Sequence, residues 1–376
     1  MAHAAIMAEA SSLRIFVQRG GLLIFAITLI AIVALFSGLR FSLMLTIGLG
    51  FGITLEALRF GFAGPWRAMI LHKDPSGILA QLLSISLVAI VALPLIKAYP
   101  VELQAARAPI GFAMVLGAFI FGIAMQVVLG CGSGTLVNTG SGNIISFIVL
   151  PFFAFGSFLG AHHLFWWTKL GAWQGPNLTG WSGVAGTLTF LTILAFICWF
   201  FSDRSYRKLP KRLMYAALLV AVFSIFNLVV SGQPWGVVYG LGLWAAKVMA
   251  GLNVDLSGSA FWSSPARTEH IQNSILVDYT SLTNLGIILG AFVVTAWRRG
   301  GLSSRVPTFP VRAYIATIFT GFLLGYASRL AFGCNVGAFF SGISTGSLHG
   351  WVWVLAAFAG SVLGVRLRPI LGLELK

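Results

Sequence analysis

The chain has 376 residues, of which 58% are apolar and only 9% are charged, with a formal net charge of +15. A soluble domain carries about 25% charged residues, so this composition excludes a soluble globular protein and indicates a chain that has lipid as its solvent. The positive charge lies in short clusters between apolar runs, and no basic face is interleaved with exposed aromatic residues, which argues against nucleic-acid binding.

Apolar runs of the length that a bilayer requires, about 20 residues, recur along the whole chain. About eleven runs are predicted to be membrane helices, and in chain order they cover residues 21–38, 41–58, 78–97, 110–129, 144–167, 183–202, 213–230, 235–252, 279–297, 313–332 and 349–366. The pattern predicts an all-α polytopic membrane protein.

The most polar break divides the chain into two halves. Residues 1–40 are expected to form an N-terminal segment with the first membrane helix, and residues 41–202 the first half. Residues 203–212 form a basic linker that the positive-inside rule places in the cytoplasm, and residues 213–376 form the second half.

The two halves resemble each other when one is slid over the other. An offset of 203 places Gly130, Cys131 and Gly134 on Gly333, Cys334 and Gly337, and an offset of 204 places 156–160 on 360–364. A shared Gly-Cys pair followed by a shared Gly-Ser motif at almost one offset indicates two diverged copies of one unit.

Gly-rich segments with almost no charge recur in both halves. Arg59–Trp66 is matched with Gly251–Ser264, and Leu129–Asn143 with Phe332–His349. Irregular backbone at membrane depth is tolerated where it is buried in protein or lines a cavity, so all four segments are predicted to be re-entrant loops; ordinary extramembrane turns are the alternative.

The basic clusters indicate how these segments run. Arg298 and Arg299 reach the cytoplasm only if residues 235–276 dip into the membrane and return, and the same rule gives the first half the opposite orientation. Two inverted repeats are therefore expected. Arg14 and Arg19 would then lie outside, against the rule.

The second segment of each half carries the candidate site. The first copy reads Gly130-Cys131-Gly132-Ser133-Gly134 and the second reads Gly333-Cys334-Asn335-Val336-Gly337. Glycines let backbone N–H groups turn toward an anion, Ser and Asn add neutral hydrogen bonds, and a thiol suits a soft sulfur anion. Cys198, which lies among Ile, Trp and Phe residues, is interpreted as a packing residue.

Few ionisable residues fall within the predicted spans. Arg329, five residues before Cys334, either attracts an anion or extends to an interface. Glu56 and Arg59 are expected to neutralise each other on one helix, and Lys247 is expected to pair with Asp255.

The paired Gly-Cys segments resemble those of the YeeE/YedE family of bacterial inner-membrane proteins, which includes thiosulfate uptake transporters. The resemblance spans the chain from about Leu45 onward. It implies a pseudo-twofold helical fold whose re-entrant loops meet near the membrane midplane. It also implies that thiosulfate passes between cysteine thiols, with Cys131 as the central station and Cys334 as another.

One feature departs from the family pattern. Its thiosulfate transporters also carry a cysteine in the first loop, whereas Gly61–Trp66 contains none. Some relatives are linked instead to selenium or to other sulfur compounds, so the substrate stays open at this point.

The leading hypothesis is an uptake transporter, not an enzyme, for a small sulfur oxyanion, with thiosulfate as the first candidate. Its site would comprise the two Gly-Cys segments and Arg329, without cofactor or metal. The alternative is a sulfur- or selenium-transfer protein that forms a transient persulfide on Cys131. A TusA-like sulfur carrier in the cytoplasm is the partner that the resemblance allows, beside the bilayer of the bacterial inner membrane.

Overall fold

The computed structural model describes residues 2–299 and 309–373, with side chains for residues 17–298 and 309–373. This part of the chain is mostly helical and contains almost no strand. Its α-helices are α1 (Ala2–Ser37), α2 (Leu39–Ala57), α3 (Ala63–His72), α4 (Ser76–Ala98), α5 (Phe112–Val128), α6 (Gly132–Gly140), α7 (Ile144–Thr168), α8 (Gly180–Phe200), α9 (Lys211–Ser231), α10 (Val238–Gly251), α11 (Pro265–Gln272), α12 (Tyr279–Arg299), α13 (Val311–Leu330), α14 (Ser341–Ser344) and α15 (His349–Ile370). A short antiparallel ladder joins β1 (Ile110–Gly111) to β2 (Ala172–Trp173), and Asn335–Phe340 forms a π-helical turn before α14.

Ten helices in the described part are long and apolar enough to cross a membrane, which confirms the prediction of a polytopic membrane protein. The predicted span at residues 235–252 is wrong. Its helix α10 has 14 residues and is about 21 Å long, which is less than the hydrocarbon core. Pro234 and Gly236 keep residues 233–237 out of the helix, because proline lacks the backbone N–H that a helix needs and glycine is a poor helix former.

The basic loops lie together at one end of the molecule, which we call the basic end. The backbone N–H of Asp203, in the linker between α8 and α9, donates to the carbonyl of Lys73, 3.2 Å away. At the same end, the Arg298 guanidinium at the end of α12 donates to the carbonyl of Ala57 at the end of α2, 2.7 Å away.

The start of the chain also approaches this end. The guanidinium of Arg19 lies 4.8 Å from the ring centroid of Trp297, the neighbour of Arg298. The expectation that Arg19 lies on the side away from the other basic clusters is therefore wrong, because α1 runs beside α12 and α2. The side chain of Arg14 is outside the described ones.

Three longer connections, residues 99–111, 169–179 and 252–278, lie at the opposite end. The backbone N–H of Gln104 donates to the carbonyl of Gly232, which ends α9, at 2.8 Å. Residues 252–278 follow α10 and lead into α12, and the Lys247 ammonium holds them by donating to the carbonyl of Ile271 at 2.8 Å.

Part of this last connection, Gly251–Ser264, was predicted to re-enter the membrane, and in the structure most of its residues lie at the molecular surface. Residues 252–255 are exposed, and the carboxylate of Asp255 accepts from the backbone N–H of Ser257 at 2.8 Å in a surface turn. That hydrogen bond lowers the pKa of the Asp255 carboxyl. Within this segment, Ser259 and Trp262 are the buried residues, and they anchor it to the helices.

Glycines let long helices from the two halves of the chain cross with their backbones in contact. A side chain at any of four glycines would collide with a carbonyl of the partner helix: Gly122 with Ala357 and Gly360 with Phe119, between α5 and α15, and Gly156 with Phe322 and Gly325 with Phe153, between α7 and α13. Small residues at such crossings are typical of membrane helices. The repeated Gly-Ser motif is therefore a packing surface.

Candidate functional site

The first Gly-Cys segment makes a sharp turn between α5 and α6. Leu129 ends α5 in the left-handed conformation, with φ of 52°, and Cys131 begins α6 as its N-cap. The Cys131 sulfur accepts from the backbone N–H of Gly134 at 3.4 Å and lies 3.4 Å from the Ser133 hydroxyl. Cys131 is fully buried, so the turn places a thiol inside the protein at a helix N-terminus.

The second segment makes the corresponding turn after α13. Phe332 has φ of 56°, Gly333 follows it, and Cys334 precedes the π-helical turn that contains Gly337. Cys334 and Asn335 are both fully buried. Neither the amide nitrogen nor the amide oxygen of Asn335 has a hydrogen-bond partner in the structure, which is costly for a buried amide. A polar ligand or water at this place would satisfy it.

The two segments come into contact at Gly132. A β-carbon added to Gly132 would lie 2.9 Å from the sulfur of Cys334, and Gly132 directly follows Cys131 in the chain. The second thiol therefore lies against the residue that follows the first one in the chain. Gly130 is also close-packed, since a β-carbon there would lie 2.9 Å from the Thr135 hydroxyl, whereas one at Gly337 would meet open space.

A third segment, residues 233–237, reaches the same place, and the sequence did not assign it to the site. The same added β-carbon on Gly132 would lie 3.2 Å from a methyl group of Val237. Trp235 stacks on Phe51 of α2, with ring centroids 4.0 Å apart, and accepts at its carbonyl from the Ser341 hydroxyl at 2.7 Å. The signal that could have indicated this segment is the Gln-Pro-Trp-Gly stretch inside an apolar run.

The first half contributes an equivalent aromatic contact through its own non-helical residues. Phe62, the N-cap of α3, is 1% exposed and meets Phe340 edge to face, with centroids 6.2 Å apart. The segment Gly61–Trp66 therefore does pack against the second Gly-Cys segment, although it carries no cysteine.

A cavity of about 950 Å³ leads from the basic end to Cys131. Its lining includes Gly130, Cys131, Ser133 and Gly134, together with three arginines, Arg59, Arg67 and Arg368. Polar neutral groups from α6 and the loop after it, Asn138, Ser141 and Asn143, also line it. Glu56 lies at the same cavity, so its lining carries three arginines against one carboxylate and forms a positively charged approach to the first thiol.

Arg329 lies away from this cavity, on the side of the opposite end. Its guanidinium carbon is 5.0 Å from the ring centroid of Phe261 and 5.6 Å from that of Tyr239. Its counterpart in the first half, Gln126, is fully buried and donates to the carbonyl of Ala63, 3.0 Å away. The structure does not bring Arg329 into the cavity with Cys131.

Two predicted charge pairs are wrong. Glu56 lies 3.9 Å from the guanidinium of Arg298 and forms an ion pair there, whereas Arg59 has left the helix, since α2 ends at Ala57 and Arg59 has φ of 50°. Lys247 was predicted to pair with Asp255, but its ammonium donates to the carbonyls of Ile271 and Asn273. These hydrogen bonds hold residues 252–278 against α10.

Comparison with known proteins shows the family of this chain. A family model described as "Sulphur transport" matches residues 57–363. The "Thiosulfate transporter TsuA" of Spirochaeta thermophila is 26% identical over 327 residues, which is 82% of this chain and 93% of that protein. Proteins named "Probable transporter YedE" from Salmonella typhimurium and Escherichia coli are 27% and 28% identical over 163 residues, which is 43% of this chain and 39% of each relative.

Proposed function

Because the chain belongs to the sulphur transport family, whose members are membrane transporters, we propose that it imports a small sulfur oxyanion past Cys131 and Cys334. Thiosulfate is the first candidate, since the relative matched over most of both chains is named as a thiosulfate transporter. The substrate is taken up from the opposite end and released through the cavity at the basic end.

The observation that carries this proposal is the packing of the Cys334 sulfur against Gly132, the residue that directly follows Cys131. A sulfur oxyanion that leaves one thiol reaches the next after passing a single glycine, which offers no side chain as an obstacle. Thiols are weak, polarizable donors, and repeated weak contacts suit a site that must release its ligand.

Helix N-termini supply the positive potential that an anion needs inside the membrane. The short helices α3, α6 and α10 begin at Ala63, Gly132 and Val238, and all three of these residues are buried. Half-helices whose positive ends point to the membrane interior are a recurrent anion device in transporters. Asn335 adds an amide that has no partner of its own.

The order of helices supports two inverted repeats. In each half a long helix is followed by a short one that starts from a buried residue, as in α2 with α3 and α9 with α10. The Gly-Cys segments then start from opposite ends, since α5 ends beside the cavity and α13 ends beside residues 252–278. We interpret α3, α6, α10 and the turn at Cys334 as re-entrant elements that meet near the midplane.

The orientation follows from the positive-inside rule. The basic end carries Arg204, Arg298, Arg366 and the other exposed basic residues of the linker, so it faces the cytoplasm. A TusA-like carrier would receive the released compound at this end.

Uptake of labelled thiosulfate into proteoliposomes tests the function. Cys131→Ala and Cys334→Ala are expected to lower the initial uptake rate by about tenfold or more, because a hydrogen bond to a charged group is worth about 1.5–3 kcal/mol and about 1.4 kcal/mol is a factor of ten. Cys198→Ala is the matched control, because Cys198 lies in α8 among lipid-facing residues and is expected to leave the rate unchanged. Equal rates in all three variants would remove the thiols from the mechanism.

A further inference from the structure

Residues 252–278, which connect α10 to α12, pack against the membrane helices at the opposite end. The indole N–H of Trp262 donates to the carbonyl of Phe158 in α7 at 3.0 Å, and Trp262 is fully buried. In the first half only residues 73–75 separate the short helix α3 from the next long helix. The second half thus has an added segment at the end where the anion would be taken up.

Two arginines meet the same pair of aromatic rings at this end. Arg267, from α11, has its guanidinium carbon 5.0 Å from the centroid of Phe261 and 5.2 Å from that of Tyr239. Arg329, from α13, lies 5.0 Å from Phe261 and 5.6 Å from Tyr239. The two guanidiniums are therefore within about 10 Å of each other, no further than one Debye length at moderate salt.

No carboxylate neutralises this pair among the described residues. Among the described residues the ion pairs are His270 with Asp278, at 3.8 Å, and Arg298 with Glu56. Neither Arg267 nor Arg329 takes part in them. The Nε atoms of Arg267 and Arg329 and the Nη2 atom of Arg329 are buried without a hydrogen-bond partner. Aromatic rings attract cations but accept no strong hydrogen bond, so the N–H groups stay unsatisfied.

The corresponding position in the first half is neutral. An offset of 203 places Gln126 on Arg329, and Gln126 already donates to the carbonyl of Ala63. The pair of arginines is therefore present only at the opposite end and has no equivalent in the first repeat. Two like charges near each other disfavour each other's charged form, and an anion between them would relieve this repulsion.

We propose that Arg267 and Arg329 form an anion-binding site, here called the outer arginine pair, that captures a small dianionic oxyanion before it reaches Cys334. Planar guanidinium groups suit the oxygens of a tetrahedral anion such as thiosulfate or sulfate. Phe261 and Tyr239 hold the two guanidiniums in place. The inference rests on the proposed transport of a sulfur oxyanion, but its site is separate from the thiols.

Calorimetry on the purified protein tests the pair without relying on transport. Thiosulfate and sulfate are titrated into the Cys131→Ala/Cys334→Ala variant, so that a failure of the thiol relay does not affect the result. We expect binding that weakens as salt rises, and an affinity about tenfold lower in Arg267→Gln, as for loss of a charge-assisted contact. Arg329→Gln is expected to weaken binding equally, and Arg267→Lys less than Arg267→Gln.

Arg40→Gln is the matched control. Arg40 is another arginine at the opposite end, and its guanidinium carbon lies 5.1 Å from the ring centroid of Tyr279. It donates to the carbonyl of Val230, so its charge is already engaged. Unchanged affinity in Arg267→Gln, which lies on a surface helix and should fold, would overturn the proposal, and so would an equal loss in Arg40→Gln.

Discussion

The sulfur of Cys334 lies 2.9 Å from the place that a β-carbon on Gly132 would fill. This contact joins the two Gly-Cys segments, and a side chain at residue 132 would press directly on the second thiol. It also explains why a glycine follows Cys131, whereas Asn335 follows Cys334.

Gly132→Ala is therefore expected to block passage between the thiols. The added methyl group must displace the sulfur or the backbone, which costs about 1–3 kcal/mol in a packed interior and lowers uptake about tenfold. Initial uptake of labelled thiosulfate measures this. Gly251→Ala, where an added β-carbon meets no atom within 4 Å, is the control. Equal uptake by both variants would contradict the assigned route.

Asn335→Leu is expected to stabilise the protein while weakening its function. The leucine removes a buried amide that has no partner, which is worth about 1–3 kcal/mol. Thermal unfolding in detergent should therefore shift upward while thiosulfate uptake falls. Asn227→Leu is the control, because the Asn227 amide donates to the carbonyl of Gln233 at 3.0 Å and its loss should lower the unfolding temperature. A lower unfolding temperature for Asn335→Leu would show that the amide is satisfied in the working protein.

Single cysteines at the two ends are expected to report the orientation. In a Cys198→Ala background the two remaining native thiols are fully buried. A membrane-impermeable thiol reagent should label Gly258→Cys in intact cells and Lys208→Cys only after permeabilisation, because exposed residue 208 lies in the basic linker. The reverse labelling pattern would show that the basic end faces outward, and the 950 Å³ cavity would then be the entrance for the substrate.

The persulfide alternative predicts a covalent product on Cys131. Attack of its thiolate on the sulfane sulfur of thiosulfate would break the S–S bond, leave the outer sulfur on the cysteine and release sulfite. Mass spectrometry of protein quenched during uptake should show no added sulfur on Cys131 if the thiols only pass the anion along. A persulfide that forms and decays at the rate of turnover would favour the transfer function. The Cys334→Ala variant, which keeps Cys131, is measured in parallel.

Most of the membrane helices and the paired thiols could be predicted from the sequence, because hydropathy and a repeated Gly-Cys motif are local properties. Hydropathy failed at residues 235–252, since it counts apolar residues and does not register that Pro234 and Gly236 delay the helix. The partners of Glu56 and Lys247 could not be predicted either, because they come from α12 and from the end of α11. The unpartnered amide of Asn335 is visible only in three dimensions.

The glycine crossings bear on how such a protein can move. Helices α5 and α15 touch backbone to backbone, as do α7 and α13, and each pair takes one helix from each half of the chain. Rocking one half against the other would have to pull these backbones apart at several places at once. We therefore expect the long helices to stay fixed relative to one another during transport. The substrate would be admitted by small displacements of the short helices and of aromatic side chains beside them, such as Trp235 and Phe62.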